Sequence, residues 1–285
     1  MSAPTFHVCL SVNLNSSNVA PNPVINGENS VETYRESELE NKRTNDLMRL
    51  VRLIPNNILT ILDVGARDGH FSILLAECCA TVTALDLEKP SFSHNNNINC
   101  VQGDITNLKL GDNSFDLVFC TEVLEHIPSH QLQKACSELT RISKEFLLIG
   151  VPYKQDIRVG RTTCYSCGGH NPPWGHVNSF DRRRLEDLFP FFNISEISFI
   201  GETNIRTNFI STFLMDLAGN PYGTYNQEEP CIHCGKTLKK PPKRTLLQKI
   251  FTRAAFWARN IQPPFYNTHA NWIHILFTID KTKAT

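Results

Sequence analysis

No run of about 18 apolar residues, the length that crosses a bilayer as a helix, occurs in the 285-residue chain, so no membrane span is predicted. The first residues lack a basic segment ahead of the short apolar stretch from His7 to Leu14, which speaks against a secretion signal. Neither sign of charge is in excess. The 28 Lys and Arg balance 28 Asp and Glu, so overall charge selects no nucleic-acid or acidic partner. Cysteine is plentiful at ten, but the disulfide scaffolds such a count suggests belong to short secreted chains without an adequate core. With 41% hydrophobic residues at this length, core size is no obstacle. Cys9, Cys78, Cys79, Cys100, Cys120 and Cys136 therefore read as buried free thiols, and a reducing, cytoplasmic setting is expected.

Residues 1–30 are rich in Asn, Ser and Pro with no sustained period and read as a loose arm. From Ser30 to Leu53, apolar residues such as Leu39, Leu47 and Leu50 lie among charges at helical spacing, ending at Pro55. Short apolar runs then alternate with helical stretches, the pattern of βαβ units. Strands are predicted at 59–64, 81–86, 98–102, 115–120 and 145–150, and helices at 69–79 and 129–143. A short helix near 181–188, a strand near 194–201 and a closing strand from Trp272 to Ile279 follow. The link from Leu87 to Asn97 leaves little room for a crossover helix. The expected fold class is α/β: a Rossmann-like, mainly parallel sheet of about seven strands with helices on both faces. It takes up 31–202 and 270–285, and insertions at 153–178 and 203–269 form a lid.

The most informative segment is Ile61-Leu62-Asp63-Val64-Gly65-Ala66-Arg67-Asp68-Gly69-His70-Phe71, an apolar strand running through a glycine turn into a helix start. Backbone there can approach a ligand closely, and helix N-terminal amides can face it. The next strand ends in Asp86, about twenty residues on, where a carboxylate can accept from ribose hydroxyls. The G-x-G-x-x-G spacing of dinucleotide binders is absent. With Gln102-Gly103-Asp104-Ile105 and the stretch from Phe115 to Pro128, this ordering resembles class I S-adenosylmethionine-dependent methyltransferases over about Ile58 to Val151. The resemblance implies that Asp63 and the turn Gly65, Ala66 and Gly69 hold the methionine end of S-adenosylmethionine. It also implies that Asp86 and Leu87 meet the ribose, that Asp104 and Ile105 meet the adenine, and that Thr121 borders the site. Arg67 replaces the usual middle glycine of the turn and is expected to point to solvent.

Glu122, Glu125 and His126 follow the fourth strand at the sheet edge where such folds bind ligands. This E-x-x-E-H pattern, with His176 as a further partner, resembles ubiquinone-pathway O-methyltransferases and small-RNA 2′-O-methyltransferases. Those groups use such residues to hold a divalent metal that polarises a hydroxyl. The plainer reading gives Glu122, Glu125 and His126 a pocket-shaping role without metal, and assigns action on the acceptor to His126 or His176.

Two C-x-x-C-G groups, Cys164/Cys167 and Cys231/Cys234, can together supply four thiolates to a structural zinc. If the fifth and sixth strands are parallel, the loops after them leave one sheet edge and can meet. Between Glu229 and Asp280 no acidic residue occurs, while Lys236, Lys239, Lys240, Lys243, Arg244, Lys249, Arg253 and Arg259 accumulate. Leu246, Ile250, Trp257 and Ile261 recur there at helical spacing, predicting an amphipathic helix over the core. The same stretch could meet an anionic membrane surface or a phosphate-bearing substrate. The expected function is methyl transfer to an oxygen, nitrogen or carbon acceptor on a small or lipid-linked molecule near Tyr153. The alternatives are metal-dependent RNA 2′-O-methylation, with nucleic acid the less favoured partner, and a non-catalytic zinc-containing binding module.

Overall fold

The computed structural model describes residues 37–55, 58–93, 96–261 and 268–282; the expected loose arm at 1–30 and Cys9 lie outside them. Helix α1, Glu38–Arg52, begins where Ser37 accepts the amide of Glu40 and carries Glu38 and Glu40 in its first turn and Arg49 and Arg52 in its last. Those charges complement the helix dipole.

Strands β1 (Thr60–Val64), β2 (Thr81–Asp86), β3 (Ile98–Gln102), β4 (Phe115–Thr121) and β5 (Ser143–Pro152) pair in parallel. Strands β6 (Thr162–Thr163) and β7 (His170–Asn171) pair as one short hairpin outside the main sheet. Strand β8 (Phe192–Ile200) and strand β9 (Trp272–Ile279) complete it in the order β3-β2-β1-β4-β5-β9-β8. Strand β9 is antiparallel to both β5 and β8, so those two run parallel to each other. The ends of β1, β2, β4, β5 and β8 therefore share one edge, where the insertions also emerge.

Central strands are buried on both faces, which is why β4 and β5 read as nearly continuous apolar runs rather than alternating ones. One core, including Val118, Leu147 and Ile275, lies under α3 (Ser129–Ile142) and α4 (Arg182–Leu188). The other, including Ile61, Leu117 and Leu148, lies under α1 and α2 (His70–Ala76). Among the described residues no helix joins β2 to β3, as the short link predicted.

Three expectations need correction. The insertion after β8 holds a second helix beside the one anticipated: α5 (Phe209–Leu217) precedes and packs on α6 (Leu246–Arg259). The apolar stripe of α6 does not lie over the core: Leu246, Ile250 and Trp257 are exposed. Of the scattered cysteines, Cys120 and Cys136 are buried, but Cys78 is exposed and Cys79 and Cys100 only half-buried.

Candidate active site and metal centre

The glycine turn is bolted to β2. The amides of Gly65 and Ala66 both donate to the carbonyl of Leu85, at 2.8 and 3.1 Å. Gly65 sits at φ +80°, open to glycine at little cost. Asp86 Oδ2 then accepts the Arg67 amide at 3.0 Å and Oδ1 accepts the amide of Leu87 at 2.7 Å. One carboxylate thus fixes both loops while keeping further lone pairs. Burial raises its pKa, against those amides, which lower it. Asp63 is buried behind the turn and accepts the Ser72 hydroxyl at 2.6 Å. Burial, and after it Asp86 and Asp68, push the Asp63 carboxyl up to about 7, against the Ser72 hydrogen bond.

Other predicted cofactor residues are placed less directly. Asp104 is exposed, and its Oδ1 accepts both the amide and the hydroxyl of Thr106 at 2.8 Å. Ile105 is buried in the larger core with Leu85 and Leu108. Thr121 is buried with its methyl close to the Cα of Gly150, where a Cβ would come within 3.0 Å. Gly69 carries a further constraint: a Cβ there would lie 2.4 Å from the Phe92 ring, and its φ is +80°. Arg67 is not simply solvated. It adopts φ +43° and its guanidinium pairs with Glu228 of the second insertion at 2.5 Å.

Beyond β4 the chain turns through Glu122, a non-glycine residue at φ +56°, into a 3-10 turn at Leu124–His126. Such a left-handed backbone in a side chain with a Cβ is strained, and sites of this kind cluster where function constrains the chain. Glu122 faces Arg43 of α1, 3.8 Å away, and is not part of the cluster that Glu125, His126 and His176 form. The expected trio of Glu122, Glu125 and His126 is corrected accordingly. Arg43 itself is buried, bound by Glu40 at 2.6 and 2.7 Å and lying over the rings of Phe71 and Trp272.

Glu125, His126 and His176 bring one ligand atom each to within 4.8 Å of the others, and all three are buried. His176 comes from a distant loop, and the backbone explains its position. The amides of Val177 and Asn178 donate to the carbonyl of Glu125, and the Asn178 side chain donates to the carbonyls of Leu124 and Ile127. The two imidazoles meet edge to face at 4.6 Å. Both Glu125 oxygens and the Nε2 atoms of His126 and His176 are buried without a hydrogen-bond partner among the described residues. Burial, and then Glu122, hold the Glu125 carboxyl well above its ordinary range. Burial pushes His126 down to about 3, with Arg67 adding to it, and burial followed by His126 holds His176 well below its usual value. Two neutral imidazoles and one carboxyl around a small space without internal partners form a donor set suited to a divalent cation. Glu229, also buried, lies nearby but outside that cluster: a Cβ on Gly175 would come within 3.0 Å of Glu229 Cγ and 3.8 Å of His126 Nδ1. Sequence reasoning missed Arg43, Glu229 and Gln155, whose Oε1 meets the His176 ring at Nδ1.

A family model described as "Methyltransferase domain" matches residues 62–145, the interval from the end of β1 to the start of β5 that carries the glycine turn, Asp86, Asp104 and the Glu-His pair. Residues 62–145 belong to a methyltransferase domain. Malonyl-[acyl-carrier protein] O-methyltransferase of Pectobacterium atrosepticum is 33% identical over 101 residues, 34% of this chain and 39% of that protein. Phosphoethanolamine N-methyltransferase 1 of Caenorhabditis elegans is 30% identical over 105 residues, 34% of this chain and 22% of that protein. The match thus spans well under half the length of either relative. A crystal structure of the N-methyltransferase NodS from Bradyrhizobium japonicum superposes with a TM-score of 0.49 at 14% identity, over 87% of this chain and 99% of that one.

Outside the methyltransferase domain, the two C-x-x-C-G turns meet. Cys164 and Cys234 Sγ are 3.7 Å apart, Cys167 and Cys231 Sγ 3.6 Å, and all four lie within 4.8 Å. A tetrahedron with about 2.3 Å zinc–sulfur bonds has sulfur edges of roughly 3.8 Å, whereas a disulfide brings sulfurs to about 2.05 Å. The two turns are built alike. Gly168 donates to the Cys164 carbonyl and Gly235 to that of Cys231, both at 2.8 Å, with both glycines left-handed near φ +70°. His170 and His233 stay outside, His233 Nε2 lying 3.0 Å from the His170 carbonyl oxygen.

Proposed function

We propose that the chain transfers the methyl group of S-adenosylmethionine to a small-molecule or lipid-linked acceptor. The observation that carries this reading is the double anchoring of the glycine turn, by the Leu85 carbonyl and by Asp86, within the interval that the family model matches. Asp63, Gly65, Ala66 and Gly69 would hold the methionine end, Asp86 and Leu87 the ribose, Asp104 and Ile105 the adenine, with Thr121 bordering the site. Once bound, the group supplies an electrophilic methyl on a sulfonium leaving group, so alignment of the acceptor provides much of the rate. Arg43, wedged between Phe71 and Trp272, closes the α1 side, and the Arg67–Glu228 pair ties the turn to the second insertion.

The buried Glu125, His126 and His176 set supports a divalent ion more strongly than the sequence alone did. Such an ion would supply Lewis-acid polarisation of an acceptor hydroxyl, which favours oxygen as the acceptor atom. Without it, a neutral imidazole of His126 or His176 would accept the acceptor's proton. The four cysteines would hold a structural zinc that staples the insertions 153–178 and 203–269 into a lid over the acceptor. Among the described residues no helix is long and apolar enough to cross a membrane. The test is a screen of acceptor classes with a labelled methyl donor, with and without chelator. Label reaching a small or lipid-linked acceptor supports the reading. Label reaching only RNA in a chelator-sensitive way favours 2′-O-methylation, and no transfer with intact zinc favours a binding module.

A further inference from the structure

Helices α5 and α6 form an antiparallel pair standing off the sheet. Asn208, at the start of α5, donates to the carbonyls of Ala258 and Ile261 at the end of α6, and Gly219, past the end of α5, lies against Gln248 near the start of α6. Tyr222 and Phe256 meet edge to face between them. Although packed on each other, both helices leave large apolar side chains in water. On α5 these are Phe209 at 80% exposure, Ile210, Phe213 and Leu217, which fall within an arc of about 100° on the helix. On α6 and its end they are Leu246 at 79%, Leu247, Ile250, Trp257 at 72% and Ile261, within an arc of about 100°. Exposed Lys249 and Arg253 border the α6 stripe, and Lys239, Lys240 and Lys243 precede it. Among the described residues none of these five cations forms an ion pair. Exposed large apolar side chains gathered on one helix pair mark an interaction surface rather than an ordinary solvated face.

We infer that the α5–α6 pair is a docking surface for an anionic lipid bilayer, lying in the headgroup plane with its apolar stripes inserted. Charge complementarity selects this occupant. An interfacial helix combines an aliphatic stripe, a tryptophan and flanking lysines and arginines, and the segment between Glu229 and Asp280 carries no carboxylate to repel acidic headgroups. A second copy of the chain, paired about a two-fold axis through this face, would set the same cations against one another. RNA would meet the cations but leave the leucine and isoleucine side chains solvated. The inference stands independently of the methyl-transfer reading.

The test mixes the full chain with vesicles of phosphatidylcholine alone and of phosphatidylcholine with about one third phosphatidylglycerol, where each cation near the surface multiplies affinity by roughly fivefold. Cosedimentation and tryptophan emission are the readouts. Trp272 is fully buried and Trp174, half-buried, lies outside the helix pair, so the part of a blue shift that disappears in Trp257→Phe reports the exposed Trp257. The expected result is partition into the anionic vesicles that weakens steeply with salt. It falls tenfold or more in Leu246→Glu/Ile250→Glu and by about 100-fold in Lys239→Gln/Lys240→Gln/Lys243→Gln, while circular dichroism stays unchanged. Equal partition into both vesicle types, no partition, or a concentration-dependent dimer abolished by Leu246→Glu/Ile250→Glu would overturn it. Retained vesicle binding by the two charge-introducing substitutions in a folded chain would do the same.

Discussion

His176 Nδ1 lies 2.7 Å from Gln155 Oε1. A glutamine oxygen only accepts, so the imidazole carries its proton on Nδ1 and leaves the Nε2 lone pair to the cluster with Glu125 and His126. Gln155 is therefore a positioning residue that fixes the tautomer through which His176 acts. Gln155→Leu is expected to lower divalent-metal affinity by about 10–100-fold with the fold intact, read by titration with manganese. Unchanged affinity would show that the tautomer is set elsewhere.

His126→Ala and His176→Ala each remove one of the two buried imidazoles. Whether the ring holds a metal or accepts a proton, kcat is expected to fall about 10²–10⁴-fold. Chelator sensitivity of the wild-type chain then separates the two roles. Full turnover in the double variant would eliminate both.

The fold was more readable in the sequence than the site, for physical reasons. Parallel strands buried on both faces leave apolar runs such as Ile61–Val64 and Phe115–Cys120, and the glycine turn marks the end of the first. Glu125 and His176, in contrast, meet only because Asn178 grips the carbonyls of Leu124 and Ile127, a contact about fifty residues long with no periodic trace. Arg43 and Glu40 look like ordinary solvated charges on α1 but are buried against the sheet. Helix α5 escaped because Phe209–Leu217 is apolar on most sides, so its sequence lacks the polar face that signals a helix. Gly69 was legible as a turn, but the further constraint on it, the Phe92 ring from the link after β2, was not.

Asp63 offers a proton-linked signature. Its carboxyl, held up to about 7 by burial and by the neighbouring Asp86 and Asp68, binds a cationic ligand better once ionised. Affinity for S-adenosylhomocysteine, whose amine is charged, should therefore fall by up to about tenfold per pH unit below 7 and level off above 8. Calorimetry in buffers of different ionisation enthalpy should register proton release near pH 7. A dissociation constant flat from pH 5.5 to 8.5 would contradict this.

Acid stability should depend on Asp46, which joins α1 to the far sheet. Its Oδ2 takes a hydrogen bond from His274 Nδ1 at 2.7 Å and another from the Ser198 hydroxyl. Burial alone would raise this carboxyl, but the His274 and Ser198 bonds lower it from 3.8 to about 2. The stabilisation is complete above about pH 4 and lost as pH falls toward 2, amounting to about 2 kcal/mol. His274 acts in the same direction, since burial holds it below its ordinary 6.5 and protonation of the unfolded chain below that pH favours unfolding. Urea unfolding at pH 7 and pH 3 should show Asp46→Asn less stable at the higher pH and the gap narrowing at the lower. An equal gap at both would exclude this linkage.

The four-sulfur cluster predicts one zinc per chain by elemental analysis. Cys231→Ser should release it and lower Tm by roughly 4–8 °C, for a loss of about 2 kcal/mol in a chain of this size. Zinc-free protein with four freely alkylated cysteines and unchanged Tm would remove the staple.

Calorimetric titration of the full chain with S-adenosylhomocysteine, beside Asp86→Ala, bears most directly on the whole account. The account predicts one site per chain in the micromolar range and affinity lower by about tenfold or more when the carboxylate that fixes both loops is removed. No binding at about millimolar ligand, or equal affinity in the variant, would contradict it.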